Sequence, residues 1–337
     1  MQDRILMGHG SGGLLMGQLI KERFLPILDN EVLRALGDSA VIQLEGGHPL
    51  AFTTDSYVVS PLFFPGGDIG RLAVSGTVND LAMAGARPLA LSLGIIVEEG
   101  FPMVDLVRIL HSVRSTAEEA AVSVVTGDTK VVRKAEVDGI FLNTSGIGMV
   151  LPGVDTSGKN VVPGDLVLLS GPIGDHGIAV MVQRENLELD APLESDVAPL
   201  WGMVEGLLLS LGQAVHFMRD PTRGGLSSAL NELASSTGLA VELWEGEIQV
   251  RPEVGSVCEL LGLDPLYVAC EGRCVAVVCE AQAEKALEIL RRHPLGAQAR
   301  CVGRILESPS GKVLLKTSIG GTRLVNPLVG EQLPRIC

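Results

Sequence analysis

Along this chain, apolar positions recur with a helical period in some stretches and alternate in others, and the points where the period changes mark its elements. After a glycine-rich opening, Gly8-His9-Gly10-Ser11-Gly12-Gly13, the residues Leu15, Leu19, Ile20 and Phe24 share one helical face. Alternating runs at Ser39–Leu44 and Leu50–Thr54 predict short strands, and Asp68–Ala84 turns helical, with Gly85 as its C-cap. A strand at Pro88–Val97, a helix at Pro102–Ala120 and strands at Val122–Thr126 and Gly139–Val150 follow. The polar stretch Leu151–Pro163, punctuated by Pro152-Gly153 and Pro163-Gly164, reads as a domain boundary.

Beyond it the alternation resumes. Strands are predicted at Leu166–Ser170, His216–Met218, Leu239–Leu243, Cys274–Cys279 and Arg300–Ile305. Helices are predicted near 174–185, 196–211 and 253–261, at Gly225–Ser236 and at Ala281–Arg292. Mixed elements in both halves point to two α/β sandwich-like domains.

Composition narrows the picture. Apolar residues make up 46% and charged residues 20%, which argues for globular order. Aromatics are only 3% against 41 glycines, so aliphatic side chains must fill the core and tight turns must be common. A net charge of −14 opposes binding to nucleic acid phosphates. No apolar run is long enough for a membrane span, and Met1-Gln2-Asp3-Arg4 does not open a signal peptide, so a cytoplasmic protein is expected. The six cysteines contain no C-x-x-C pair, which disfavours zinc. Cys274 and Cys279 flank an apolar strand and read as core residues. Cys337 differs: it ends the chain after Pro334-Arg335-Ile336, tethered on one side only.

Five aspartates sit at what read as turn-like ends of elements: Asp38, Asp55, Asp80, Asp128 and Asp220. Singly each reads as a turn or cap residue. Four within one half form a set suited to Mg²⁺, which takes hard oxygen ligands and bridges carboxylates to substrate phosphates. Lys130, two residues past Asp128, would share its side of an extended segment and could meet a phosphate. The glycine loop at 8–13 could let backbone N–H groups approach phosphates, although it is neither a Walker A loop nor a Rossmann fingerprint. His176 and Glu271 are candidate acid/base groups, each with a structural alternative as a helix N-terminal residue or a turn before a strand. Asn79-Asp80-Leu81-Ala82 echoes Asn231-Glu232-Leu233-Ala234 too briefly to imply duplication.

Read together, His9–Gly13, Gly37–Val41, Thr53–Asp55, Thr77–Ala86, Gly127–Val132, Gly174–Gly177, Asp220–Leu226, Glu271-Gly272 and Pro334–Cys337 resemble the HypE family of hydrogenase maturation factors. That family lies in the superfamily of aminoimidazole ribonucleotide synthetase (PurM), selenophosphate synthetase and thiamine-phosphate kinase. The resemblance implies a two-domain PurM-like α/β fold. Residues 1–155 would bind ATP and pair with a twin in a shared β-barrel, 156–322 would form an α/β sandwich-like domain, and 323–337 a flexible tail carrying Cys337. It implies ATP and Mg²⁺ as cofactors, held by Gly10, Ser11, Gly12, Gly13, Asp38, Asp55, Asn79, Asp80, Asp128 and Asp220, with Asp38, Asp55, Asp80 and Asp128 on the metal.

The chemistry so implied is ATP-dependent dehydration of an S-carbamoyl group on Cys337 to a thiocyanate, the source of cyanide ligands in [NiFe] hydrogenases. A carbamoyltransferase, HypF, would load the thiol, and a HypC–HypD complex would receive the cyano group. Cys337 would carry the substrate, Lys130 would steady the transferring phosphoryl group, and Glu271, ahead of His176, would take the protons. The ten residues after Pro327 reach at most roughly 33–36 Å, enough for a tail that docks inward and swings out. Two other readings remain at this point: a different superfamily activity, such as a small-molecule kinase or ligase, and a non-catalytic acidic dimeric scaffold. A selenophosphate synthetase would carry a reactive cysteine beside its glycine loop, whereas the first cysteine here is Cys258.

Overall fold

Residues 4–10, 12–330, 333 and 335–337 are described by a computed structural model. The N-terminal half opens with two short helices, α1 (Leu14–Leu19) and α2 (Leu25–Leu28), joined by a π-helical turn. None of their residues is buried, so the apolar face expected to pack on a core is left open. A five-stranded sheet follows, in the order β1 (Ala40–Ile42), β2 (Leu50–Tyr57), β7 (Ile140–Val150), β5 (Ala86–Glu98), β6 (Ser123–Val132). Only β5 and β6 run parallel. A two-residue hairpin, β3 (Phe63–Phe64) with β4 (Gly67–Asp68), leads into the long helix α3 (Ile69–Met83).

Asp68 starts α3 as its N-cap, its Oδ1 accepting from the N–H groups of Gly70 and Arg71 at 2.8 and 3.0 Å. Nearly every residue of α3 is buried, because the helix lies between the sheet, α4 (Met103–Glu119) and a helix of the second half, α6 (Trp201–Leu211). The other face of the sheet has no cover among the described residues. Phe52, Leu89, Ile96 and Ile147 are 40 to 45% exposed there, and Val125 and Val131 on β6 are 65% and 69% exposed.

The second half has a seven-stranded sheet: β14 (Thr322–Leu324), β13 (Val313–Lys316), β10 (Ala240–Trp244), β12 (Arg300–Leu306), β8 (Leu166–Leu169), β11 (Val275–Val278), β9 (Val215–Arg219). Its helices are α5 (Asp175–Glu185), α6, α7 (Gly225–Thr237), α8 (Pro252–Leu261) and α9 (Ala283–Arg291). The segment 151–165 between the sheets is tied on both sides. Thr156 Oγ1 donates to the Met83 carbonyl at 2.6 Å, and its own carbonyl accepts from Met218 at 3.2 Å. One apolar cluster runs through both halves, and a second lies under α7.

Three expectations need correcting. Strands β13 and β14 were not foreseen, being short and set among Gly, Thr and Lys. The helix expected from 196 begins at Trp201, since 196–200 is irregular. Strand β6 runs six residues beyond Thr126, through Gly127-Asp128-Thr129-Lys130. It is a sheet edge with nine of its ten residues exposed, where polar side chains are tolerated.

Candidate active site

A cleft of about 280 Å³ opens where the end of the first sheet meets the β9–α7 turn of the second half. The turn Asp220-Pro221-Thr222-Arg223-Gly224-Gly225 needs its glycines. Gly224 and Gly225 have φ of +78° and +59°, and a Cβ on Gly225 would come within 2.7 Å of the Leu266 and Val268 carbonyl oxygens. The same turn holds the next one, Pro221 accepting from Cys270 N at 3.0 Å. Asp196 Oδ1 then accepts from Glu271 N at 3.0 Å, and any Cβ on Gly272 would collide with the Asp196 carbonyl. Glu271 is thereby fixed at 2% exposure in the cleft wall.

Asp38 precedes β1, Asp80 lies inside α3, and Asp220 follows β9; their carboxylate oxygens lie within 4.8 Å of one another. Asp55, from the middle of β2, lines the same cleft. The expected placing at element ends thus holds for Asp38 and Asp220 but not for Asp55, Asp80 or Asp128. Arg219 answers part of the charge, Nε lying 2.8 Å from Asp38 Oδ1 and Nη2 2.8 Å from Glu232 Oε2. Thr53 Oγ1 donates to Asp80 Oδ2 at 2.7 Å.

Two guanidiniums, Arg219 and Arg223, do not balance this set. Burial raises the Asp38 carboxyl to about 6 despite Arg219, with Glu232 and Asp55 adding to the rise. Burial and then Asp38 raise Asp220 to about 8. Asp80 is pushed well above the carboxylate range by burial, then by Asp220, Asp55 and Asp38. Glu271 is also raised, by burial and then by Asp220. Buried Asp220 Oδ2 and Glu271 Oε1 have no hydrogen-bond partner among the described residues. Hard oxygen donors, crowded and short of cations, are what Mg²⁺ takes, so Asp38, Asp80 and Asp220 fit such an ion.

Cys337 enters the same cleft. Burial pushes its thiol up to about 12, against the pull of the nearby Arg223 guanidinium. Arg223 also donates from Nη1 to the Gly10 carbonyl at 2.5 Å, linking the thiol to the glycine loop. Gly12 lines the cleft against Arg223, and Gly13 packs against the Leu328 carbonyl, which accepts from Leu14 N at 2.8 Å. Ser11 lies outside the described residues. Arg223 went unnoticed in the sequence, where an arginine in a turn reads as a solvated charge; the flanking Gly224-Gly225 was the only signal.

The other expected site residues lie elsewhere. Asn79 is wholly buried beside the cleft and serves as a clamp. Its Nδ2 donates to the carbonyls of Ala198 (3.1 Å) and Glu271 (3.2 Å), and its Oδ1 accepts from Leu200 N (2.8 Å). Asp128 and Lys130 pair with each other at 3.0 Å on exposed β6, with side chains 70% and 68% exposed, outside the cleft lining. His176 is fully buried and outside the lining as well, both its ring nitrogens engaged by Ser195 and Ile336. Burial lowers its imidazole to about 4, so it is neutral at physiological pH.

Comparison with known proteins agrees with this architecture. Residues 36–150 match the family described as AIR synthase related protein, N-terminal domain, and 162–316 its C-terminal domain. A curated relative from Rhizobium leguminosarum bv. viciae, named carbamoyl dehydratase HypE, is 51% identical over 99% of this chain and 95% of its own. A solved HypE–HypF complex contains a chain 49% identical, with a TM-score of 0.87 over 92% of this chain and 99% of that one. A HypE structure in complex with ATP is 46% identical, with a TM-score of 0.83 over 99% of this chain and 100% of that one. Matched by both domain models and by relatives over nearly its whole length, this chain belongs to the HypE family of carbamoyl dehydratases, within the AIR-synthase-related, PurM-like superfamily.

Proposed function

We propose that this protein performs ATP-dependent dehydration of an S-carbamoyl group on its own Cys337, yielding the thiocyanate that supplies cyanide for [NiFe] hydrogenase maturation. The observation that carries this reading is the chain's own terminal cysteine lying in the acidic cleft with Asp38, Asp80 and Asp220. The oxygen of S–C(=O)–NH₂ is a poor leaving group. Transfer of the γ-phosphoryl group of ATP to it lets it depart as phosphate, and loss of both N–H protons leaves S–C≡N. Bound at Asp38, Asp80 and Asp220, Mg²⁺ would offset phosphate charge. Arg223, which lines the cleft with Cys337, orients the group, and buried Glu271 serves as the proton acceptor at the nitrogen.

The high pKa of the docked thiol has a consequence. At about 12 it is protonated, so it is a poor nucleophile in the cleft, and loading requires the tail to leave it. On this reading a HypF-type carbamoyltransferase loads the tail outside, and a HypC–HypD-type complex takes the product. The uncovered apolar face and edge strand β6 support a homodimer in which paired N-terminal sheets form the barrel. Asp128 and Lys130 would then lie at that interface, near the nucleotide. Dependence on ATP agrees with a cytoplasmic setting, and among the described residues no helix is long and apolar enough to cross a membrane.

Intact-mass spectrometry tests the proposal. Incubation with the carbamoyltransferase and its donor should add one carbamoyl group, and Mg-ATP should then remove one water. Cys337→Ala should abolish both events while keeping the ATP-dependent rise in melting temperature. A dehydrated product from Cys337→Ala would sink the reading.

A further inference from the structure

The docked tail is gripped from two sides. On one side it lies antiparallel to the segment after β2: Val58 N donates to the Cys337 carbonyl and Ser60 N to the Arg335 carbonyl, both at 3.2 Å. Arg335 reinforces that side, with Nε donating to the Val58 carbonyl at 2.9 Å and Nη1 paired with Asp138. Arg335 has φ of +52°, so the chain turns there, and the Ile336 carbonyl, between the two that meet residues 58–60, points toward α5. There it meets His176 Nε2 at 2.9 Å. The Ile336 side chain is itself 2% exposed, packed into the apolar core.

The hydrogen-bond chain defines what the imidazole does. A carbonyl oxygen only accepts, so Nε2 must carry the proton. Nδ1 is then the acceptor, and it lies 2.8 Å from Ser195 Oγ, whose own lone pair accepts from Val197 N at 3.0 Å. Phe64 packs edge-on against the ring, centroids 5.4 Å apart. Both nitrogens are thus committed, in a fully buried ring on the rigid first turn of α5.

We infer that His176 is a positioning residue for the dehydration step, not a proton carrier: its Nε2–H holds the Ile336 carbonyl so that the next residue, Cys337, stays in the acidic cleft. The inference rests on the proposed dehydratase activity for its kinetic test, but not for its binding test. Because the hold is on a main-chain carbonyl, the native tail and its carbamoylated form are gripped alike.

Two amides that each imitate one ring nitrogen provide the test. His176→Gln places a donor near the Nε2 position, and His176→Asn keeps only the one facing Ser195. Both are to be checked for folding by their melting temperatures. With preloaded S-carbamoyl protein and saturating Mg-ATP, the single-turnover rate should fall on the order of tenfold in His176→Asn and recover most of the way in His176→Gln. Loading by the carbamoyltransferase should not slow, and the KM for ATP should stay unchanged. Independently of any turnover, iodoacetamide labelling of Cys337, read by peptide mass mapping, should quicken several-fold in His176→Asn but not in His176→Gln. Equal loss in both variants with disappearance of a limb of the pH–rate profile would make His176 an acid/base group and overturn the inference. An unchanged labelling rate in His176→Asn would overturn it too. If wild-type protein yields no dehydrated product yet the labelling contrast holds, the activity fails and the latch stands.

Discussion

Removing one charge from the acidic cleft should stabilise the metal-free protein and weaken its response to metal. Asp220 is 5% exposed, and its carboxyl is raised from 3.8 to about 8 by burial and then by Asp38. A folded-state pKa above the unfolded one means that stability is fully present below pH 3.8. It is then lost progressively up to about pH 8, as the unfolded chain releases a proton that the fold retains. At pH 7 that corresponds to about 4 kcal/mol, and Asp38, raised to about 6, acts in the same direction. Asp220→Asn keeps the shape and removes the ionisable group, whose charge the unfolded chain favours. The metal-stripped variant should therefore be more stable than wild type by roughly 2–4 kcal/mol at pH 7, with the difference vanishing near pH 4.

Metal acts in the opposite direction. An ion held at a hundred times its Kd stabilises the fold by about 2.7 kcal/mol, and Asp220→Asn should forfeit most of that. Denaturant unfolding at pH 4, 5.5 and 7, with chelator or with saturating Mg-ATP, measures all the terms. A metal-free variant no more stable than wild type at pH 7, with an undiminished response to Mg-ATP, would refute both the charge accounting and the metal site.

Glu271→Gln should keep the ATP-dependent rise in melting temperature while single-turnover dehydration falls by about 10²–10⁴-fold, measured by loss of water from the carbamoylated chain. Val131→Asp, on the exposed edge strand, should convert a dimer to a folded monomer, read by sedimentation together with circular dichroism. His176, whose pKa is lowered to about 4 by burial, contributes stability that is full above its ordinary 6.5 and is lost as pH falls through 4. His176→Gln should thus flatten the acid limb of the unfolding free energy by about 3 kcal/mol between those values.

How much of this was legible in sequence follows from where each residue's partners lie. Most strands of both sheets declared themselves through local periodicity; the short β13 and β14 did not, and β6 was cut short because an edge strand does not need an apolar face. Asp38 and Asp220 could be singled out because each sits in a short glycine- or proline-containing turn whose chemistry is local. Asn79, His176 and Arg223 could not be placed that way. The partners of Asn79 come from residues 198 to 271, those of His176 from 195 and 336, and that of Arg223 from Gly10. An asparagine beside a candidate metal ligand and a histidine in a glycine-rich turn carry the same local pattern whether they touch substrate or clamp main chain. The difference between those roles is made by residues more than a hundred positions away.

The tail belongs to this second class. Residues Arg335–Cys337 contain no periodicity to read, yet their position follows from backbone bonds to Val58 and Ser60 and from one imidazole. A group that must be loaded outside and transformed inside is best held by reversible main-chain contacts. Each is individually weak, and together they compete with the entropy of a free end. The buried Ile336 side chain adds the apolar term that makes docking favourable, while His176 and residues 58–60 set the register that delivers Cys337 to the acidic cleft.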